Sequence, residues 1–289
     1  MERLVDYFEH IPSLHRSLIL VGGITIFWLI ESAFPLFQFS QTAPGYRKFA
    51  HAGINIFFTV TTILVNFCLA FLLLRTSDWA VEHQVGLLPW LVLPLWTEAL
   101  VGLMALDLVG AWLPHWTQHK VKFLWRFHLI HHTDTYVDTT TANRHHPGES
   151  VIRFAFTMLA ILVTGAPMWL VFLYQALSVL LSQFNHANIE LPRWADRLLG
   201  LIIVTPNMHH VHHHYVLPVT NTNYGNIFPY WDHLFGTYHK MAGKDIQYGI
   251  DTHLKPREHS HIGNLLTIPF QKYRPPVGDI APRQKELQS

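Results

Sequence analysis

Residues 107–132 read DLVGAWLPHWTQHKVKFLWRFHLIHH, an apolar run that closes on His115 and His119 and is followed by His128, His131 and His132. On an α-helix, residues three or four apart share a face, and a four-residue step rises about 6 Å. His115 and His119 can therefore point at one place, and so can His128 with His131 or His132. Adjacent positions diverge by about 100° around the helix axis, so the pair His131-His132 suits two neighbouring ions better than one. The same spacing returns at His209, His212 and His213, and thirteen of the 22 histidines fall between His115 and His214. Three such groups exceed what a single tetrahedral ion takes, and the spacing predicts a two-metal centre. His210 and His214 fall outside the template and are expected near a ligand imidazole or at the surface. His10, His15, His51, His83, His233, His239, His253, His259 and His261 are expected as ordinary surface, interface or tail residues.

The surroundings of this cluster are those of a membrane protein. Half of the 289 residues are hydrophobic, 13% are charged, and the net charge is +1; mean hydropathy is positive. That balance gives no basic face for nucleic acid. Cys68 is the only cysteine, which excludes an intramolecular disulfide framework and a thiolate cluster and leaves nitrogen and oxygen as ligands.

Four apolar stretches approach or exceed the roughly 20 residues that span a bilayer. Residues 18–36 form the first, which lacks a small-x-small cleavage pattern and is expected to be retained. Residues 54–74 form the second. The third runs from 87 toward 113, interrupted by Pro89, Pro94, Glu98 and Asp107. The fourth, 154–184, is divided by Gly165-Ala166-Pro167 and reads as a bent helical hairpin whose ends return to one side. Lys120, Lys122, Arg126, Arg144, Arg153, Arg193 and Arg197 flank the histidine segments, which places these on the cytosolic face. The predicted fold is an all-α integral membrane bundle of about four to five membrane segments with a cytosolic histidine-rich cap. Its parts are N-terminal membrane helices (1–113), a first histidine segment (114–150), a membrane hairpin (151–184), a second histidine segment (185–240) and a cytosolic tail (241–289), together one domain. The chain end, with Pro275-Pro276, Pro282 and Lys285, has the composition of a disordered terminus.

All-nitrogen sites suit zinc, iron, copper or nickel, and spacing alone does not choose among them. The order of motifs narrows the choice. The run 107–115, then His119, Leu124-Trp125-Arg126-Phe127-His128 and His131-His132, resembles the fatty acid hydroxylase and sterol desaturase superfamily of integral membrane di-iron oxygenases. Arg144-His145-His146-Pro147-Gly148-Glu149 resembles that family's Arg-x-His-Pro-x-Glu element, and Phe184-Asn185-His186-Ala187-Asn188 its Phe-x-His-x-Asn element. Thr205-Pro206 before His209, Asn223-Tyr224-Gly225, and the run from Trp231-Asp232 to Tyr238 match later elements. Ala111 and Trp116 depart from the pattern, at positions where a tyrosine and an arginine are usual.

The resemblance implies two irons held by His115, His119, His128, His131, His132, His209, His212 and His213, with His186 as a further ligand. His146, Asp107 and Glu149 are candidates either for a ligand or for a group that orients one; zinc is a conceivable substitute metal. It further implies that O2 and two electrons hydroxylate or desaturate a fatty acyl or sterol-like carbon in the membrane. Neither a Gly-x-Gly-x-x-Gly nor a Gly-x-x-x-x-Gly-Lys loop occurs, so the electrons are expected from a separate donor, a cytochrome b5-like protein or a ferredoxin with its reductase. Two other classes fit parts of the pattern: a membrane zinc hydrolase acting on a lipid, and a metal transport or binding protein. The latter would place ionisable ligands along a path through the spans rather than at one end of them.

Overall fold

Pro94, which has no backbone N–H and a fixed φ, decides where the third apolar stretch becomes a membrane helix. The computed structural model describes residues 1–43 and 45–277. In it the chain breaks after a short helix, Leu87–Leu91, and begins again at Leu95 with Pro94 as the cap. The span is therefore Leu95–Lys120 rather than 87–113.

Among the described residues the chain is helical and has no strand, only an isolated bridge between His214 and Tyr248. Helix α1 is Glu2–Glu9 and α2 is Ser13–Ala33. Helix α3, Lys48–Glu82, has 35 residues and so spans about 52 Å, well beyond the roughly 30 Å of bilayer hydrocarbon. The apolar run at 54–74 marked only its membrane part. The helix begins before that run, at Lys48, and buries His51 there. Helix α4 is Leu95–Asp107, and a π-helical turn, Leu108–Trp112, joins it to α5, Leu113–Lys120. Helix α6 is Lys122–His132, α7 is Pro147–Thr164, α8 is Met168–His186 and α9 is Pro206–His212. The expected hairpin is α7 and α8, which start and end outside the apolar run and are each long and apolar enough to cross a membrane.

Five helical stretches meet that criterion: α2, Lys48–Leu91, Leu95–Lys120, α7 and α8. Successive spans alternate in direction, and each places one end at the same pole. Glu31, near the end of α2, accepts the backbone N–H groups of Thr139 at 3.0 Å and Asn188 at 2.9 Å. His51 and Asn55 at the start of α3 meet Asp134, and Glu149 at the start of α7 meets His128 on α6. At the opposite pole the hairpin turns on Gly165, whose φ of +69° suits glycine. It lies against Gly86, where an added Cβ would stand 2.1 Å from the Gly165 nitrogen.

The stretch expected as a tail is partly built into the fold. Leu265 and Ile268 are buried with Phe58, Leu129 and Ile130, so the segment Ile262–Phe270 braces the back of α6. Arg274 and Val277 are tied to Glu258 and Asp251. Pro282, Lys285 and the other residues from 278 on, for which a disordered terminus was expected, lie outside the described residues.

Candidate metal centre

The histidines of the three spaced groups, with His186, converge at the common pole. His115, His119, His128, His132 and His212 form one buried group, and His131, His186, His209 and His213 form a second; within each, one ligand-capable atom per residue lies within 4.8 Å of all the others. The helical geometry explains the division. On α6 the i, i+4 pair His128 and His132 joins the first group, while His131, one residue short of the full step, turns to the second. On α9 and its C-terminal cap residue His213 the assignment is reversed: His209 and His213 serve the second group and His212 the first. Each helix thus contributes to both groups through adjacent, diverging side chains. In the first group the His128 and His132 Nε2 atoms are 3.2 Å apart. In the second, His186 Nε2 stands 3.2 Å from His131 Nε2 and 3.1 Å from His209 Nε2. Two nitrogens on one ion, with bonds of about 2.1 Å, have this kind of separation, so the arrangement could hold a metal in each group.

Hydrogen bonds to the outward ring nitrogens fix which nitrogen faces in. His128 Nδ1 donates to Glu149 Oε1 at 2.8 Å, and His186 Nδ1 to the Ser182 carbonyl at 2.7 Å. One short segment orients three rings of the first group. Asn221 Oδ1 accepts from His119 Nδ1 at 3.0 Å, the Thr222 carbonyl from His212 Nδ1 at 2.7 Å, and the Tyr224 carbonyl from His115 Nδ1 at 2.8 Å. The inward Nε2 atoms of His115, His119, His212 and His213 are buried and have no protein partner among the described residues. Burial, reinforced by neighbouring imidazoles, holds His128, His131, His132, His209 and His213 well below the ordinary histidine range. Burial lowers His212 to about 4. These rings are neutral near pH 7, the state in which an imidazole can bind a metal.

The remaining candidates take other places. Glu149 meets a ring of the first group, as above. His146 belongs to neither group: its Nδ1 accepts the Gly148 N–H at the start of α7 and its Nε2 bonds the Leu266 carbonyl at 3.2 Å, so both nitrogens serve the fold. Asp107 meets no histidine. Its carboxylate accepts the Ile227 and Phe228 N–H groups and the Trp231 indole N–H, at 3.2, 3.2 and 3.0 Å, and pins that loop to α4. His210 is buried rather than on the surface, and His214 Nδ1 accepts the Gln247 N–H.

His51, expected as ordinary, is a correction of larger consequence. It is buried and lies 2.9 Å from both Asp134 oxygens, and its Nδ1 lies 3.3 Å from Asp138. Burial alone would raise Asp134, but His51 and the Arg144 guanidinium outweigh it and hold its carboxyl well below the usual range. Arg144 is itself fully buried and donates to the Ile130 carbonyl (3.0 Å), Asn55 Oδ1 (2.9 Å), Thr133 Oγ1 (3.1 Å) and the His259 carbonyl (2.6 Å). This polar knot ties α3, the end of α6 and the C-terminal segment together beside the histidines. Spacing could not reveal it, because its members are scattered from residue 51 to residue 259.

Comparison with known proteins agrees with this geometry. The fatty acid hydroxylase family profile matches residues 99–237, a stretch that contains all nine clustered histidines. The chain is 30% identical to ornithine lipid hydroxylase OlsE of Rhizobium tropici over 146 residues, which is 50% of this chain and 43% of that protein. It is 30% identical to alkylglycerol monooxygenase of Danio rerio over 208 residues, 69% of this chain and 44% of that protein. It is 26% identical to very-long-chain aldehyde decarbonylase GL1-11 of Oryza sativa subsp. indica over 232 residues, 78% of this chain and 82% of that protein. The chain thus spans less than half the length of the first two of these relatives. No solved structure gives a significant match. Through residues 99–237 and the histidines they carry, the chain belongs to the fatty acid hydroxylase and sterol desaturase superfamily.

Proposed function

We propose that this protein is a membrane oxygenase that hydroxylates or desaturates a lipid C–H bond at a pair of irons held by the nine histidines. The observation that carries the reading is the division of nine buried imidazoles into two adjoining groups at the ends of apolar helices. His115, His119, His128, His132 and His212 would hold one ion, and His131, His186, His209 and His213 the other. When bound, an iron pair supplies reduction of O2 by two external electrons and two protons, one oxygen atom entering the lipid as hydroxyl and the other leaving as water.

The chain's own residues orient and enclose. Glu149, Asn221 and the Thr222 and Tyr224 carbonyls hold ring nitrogens outward, so the lone pairs inside are set before any ion arrives. The Trp125 ring stands 4.8 Å from His119 and 5.4 Å from His132, covering the first group from water. A lipid substrate suits the surface nearby. Asp107, which holds the loop of Ile227, Phe228 and Trp231, lies eight residues before His115, about 12 Å deeper along the span. Beside that loop Leu234 and Phe235 are exposed, as are Trp194, Leu198, Leu201 and Ile202, and Phe235 stacks on Trp112 with ring centroids 4.5 Å apart. An exposed apolar surface at that depth favours acyl chains.

Arg47 and Lys48 stand at the start of α3 at the histidine pole, and Lys120, Lys122 and Arg126 lie at and just beyond the end of the third span there. This supports a cytosolic histidine pole, where a separate electron donor would dock. Reconstitution in liposomes with a chemical reductant, a lipid pool and ¹⁸O2 tests the function. The expected product is a lipid carrying ¹⁸O or a new double bond, absent under argon. A product formed without oxygen, with its new oxygen drawn from water, would support zinc-dependent hydrolysis instead.

A further inference from the structure

Tyr224 has a fully buried side chain, and its hydroxyl has no partner among the described residues. A buried hydroxyl left unpaired costs about 1–3 kcal/mol, and phenylalanine would make the same ring contacts without that cost. The backbone fixes the residue from both sides: its N–H donates to Asp232 Oδ1 at 2.9 Å, and its carbonyl accepts from His115 Nδ1. Its ring centroid lies 5.4 Å from that of His115, 5.1 Å from His119 and 5.7 Å from His212. The inward Nε2 atoms of these same three histidines are also without a partner. The Tyr224 hydroxyl and the Nε2 atoms of His115, His119 and His212 are thus four buried, unpaired polar atoms on side chains packed against one another at the five-histidine group.

We propose that Tyr224 is a catalytic residue whose phenol O–H hydrogen-bonds the small ligand, oxygen or an anion of similar size, that binds beside His115, His119 and His212. The inference rests on the two-metal reading of the histidines. A phenol, which ordinarily ionises only at about pH 10, is a neutral donor at physiological pH. Its hydrogen bond makes the two halves of the centre unequal: the five-histidine half is the one that receives the exogenous ligand, on the side facing Trp112 and the exposed Phe235.

The test is an azide titration of the full-length, iron(II)-loaded protein in detergent, followed by absorbance, for the wild type, Tyr224→Phe and Tyr248→Phe. Tyr248 also carries a buried hydroxyl without a partner, but it lies beside His210, outside both groups. The expected result is equal iron content in all three proteins and a thermal midpoint in each variant no lower than that of the wild type, since each loses an unpaired buried hydroxyl. Azide affinity should fall about tenfold in Tyr224→Phe, the loss of one hydrogen bond of about 1.4 kcal/mol to a bound anion, and stay unchanged in Tyr248→Phe. Equal azide affinity for wild type and Tyr224→Phe at equal iron content, or equal losses in both variants, overturns the role of Tyr224 and leaves the metal reading standing. A wild-type protein that takes up no iron overturns the metal reading and the inference with it.

Discussion

Replacing Arg144 by methionine should cost this protein about 3–5 kcal/mol of stability, the loss expected when one partner of a buried charge pair is removed. The structure allows an independent estimate. Of the four acceptors of Arg144, the Ile130 carbonyl keeps the Thr133 hydroxyl as a donor at 2.8 Å, and that hydroxyl is satisfied by the same bond. Asn55 Oδ1 and the His259 carbonyl would lose the bonds they now make at 2.9 and 2.6 Å. Two orphaned acceptors at about 1–3 kcal/mol each give a loss of about 2–6 kcal/mol, in agreement with the first figure. Asp134, 4.0 Å from Arg144, would keep only His51 as a counter-charge. Lysine should recover part of the loss, because a point charge can reach one or two of these acceptors but not all four. The assay is equilibrium unfolding of the metal-free protein in mixed detergent micelles. Because Arg144 anchors the carbonyl of Ile130, the residue before His131, the methionine variant should also bind metal more weakly in the four-histidine group. A stability within about 0.5 kcal/mol of wild type, the range of an ordinary surface substitution, would refute the claim that Arg144 ties α6 to the rest of the cap.

Two further predictions concern the centre itself. Glu149→Gln keeps an acceptor for His128 Nδ1 but removes the charge, so metal affinity measured by chelator competition should fall about tenfold; an unchanged affinity would show that Glu149 does not orient the ring. The metal-free protein should lose stability as the pH falls below about 6.5, because unfolded imidazoles take up protons there while His212 stays neutral down to about 4. The unfolded state then binds more protons, so stability rises with pH through this window. His128, His131, His132, His209 and His213 act in the same direction, whereas the depressed Asp134 carboxyl loses its contribution only at more acid pH. Thermal midpoints between pH 6.5 and 5 check the sign: a flat or rising profile on acidification through that window would contradict it.

The residues most legible in the sequence were those tied to helical geometry. The spacing of His128, His131 and His132 already implied two diverging directions, and the structure assigns them to two groups. The apolar runs located the spans but not their ends, because a helix such as α3 continues through polar residues wherever these find partners in the cap. His51 looked unremarkable as a single histidine in the sequence; Asp134 and Arg144 give it its place. Asp107 stood out as a charge in an apolar run, but its partners are a loop 120 residues further on, a contact no local pattern encodes. His146 stood in a motif, and its role as a helix cap follows from the geometry around Pro147 and Gly148. Tyr224 lay in a matched motif without any sign of its unpaired hydroxyl, which is visible only once the histidines close around it.

The central claim is that nine histidines hold two irons. Metal analysis joined to Mössbauer spectroscopy on anaerobically purified, iron-supplied protein tests it most directly, with His131→Ala and His212→Ala measured alongside. The account predicts two irons per chain in the wild type, two nitrogen-rich environments, and loss of bound iron in each variant. Two zinc ions per chain with no iron and no O2 consumption, or full iron in both variants, would contradict it.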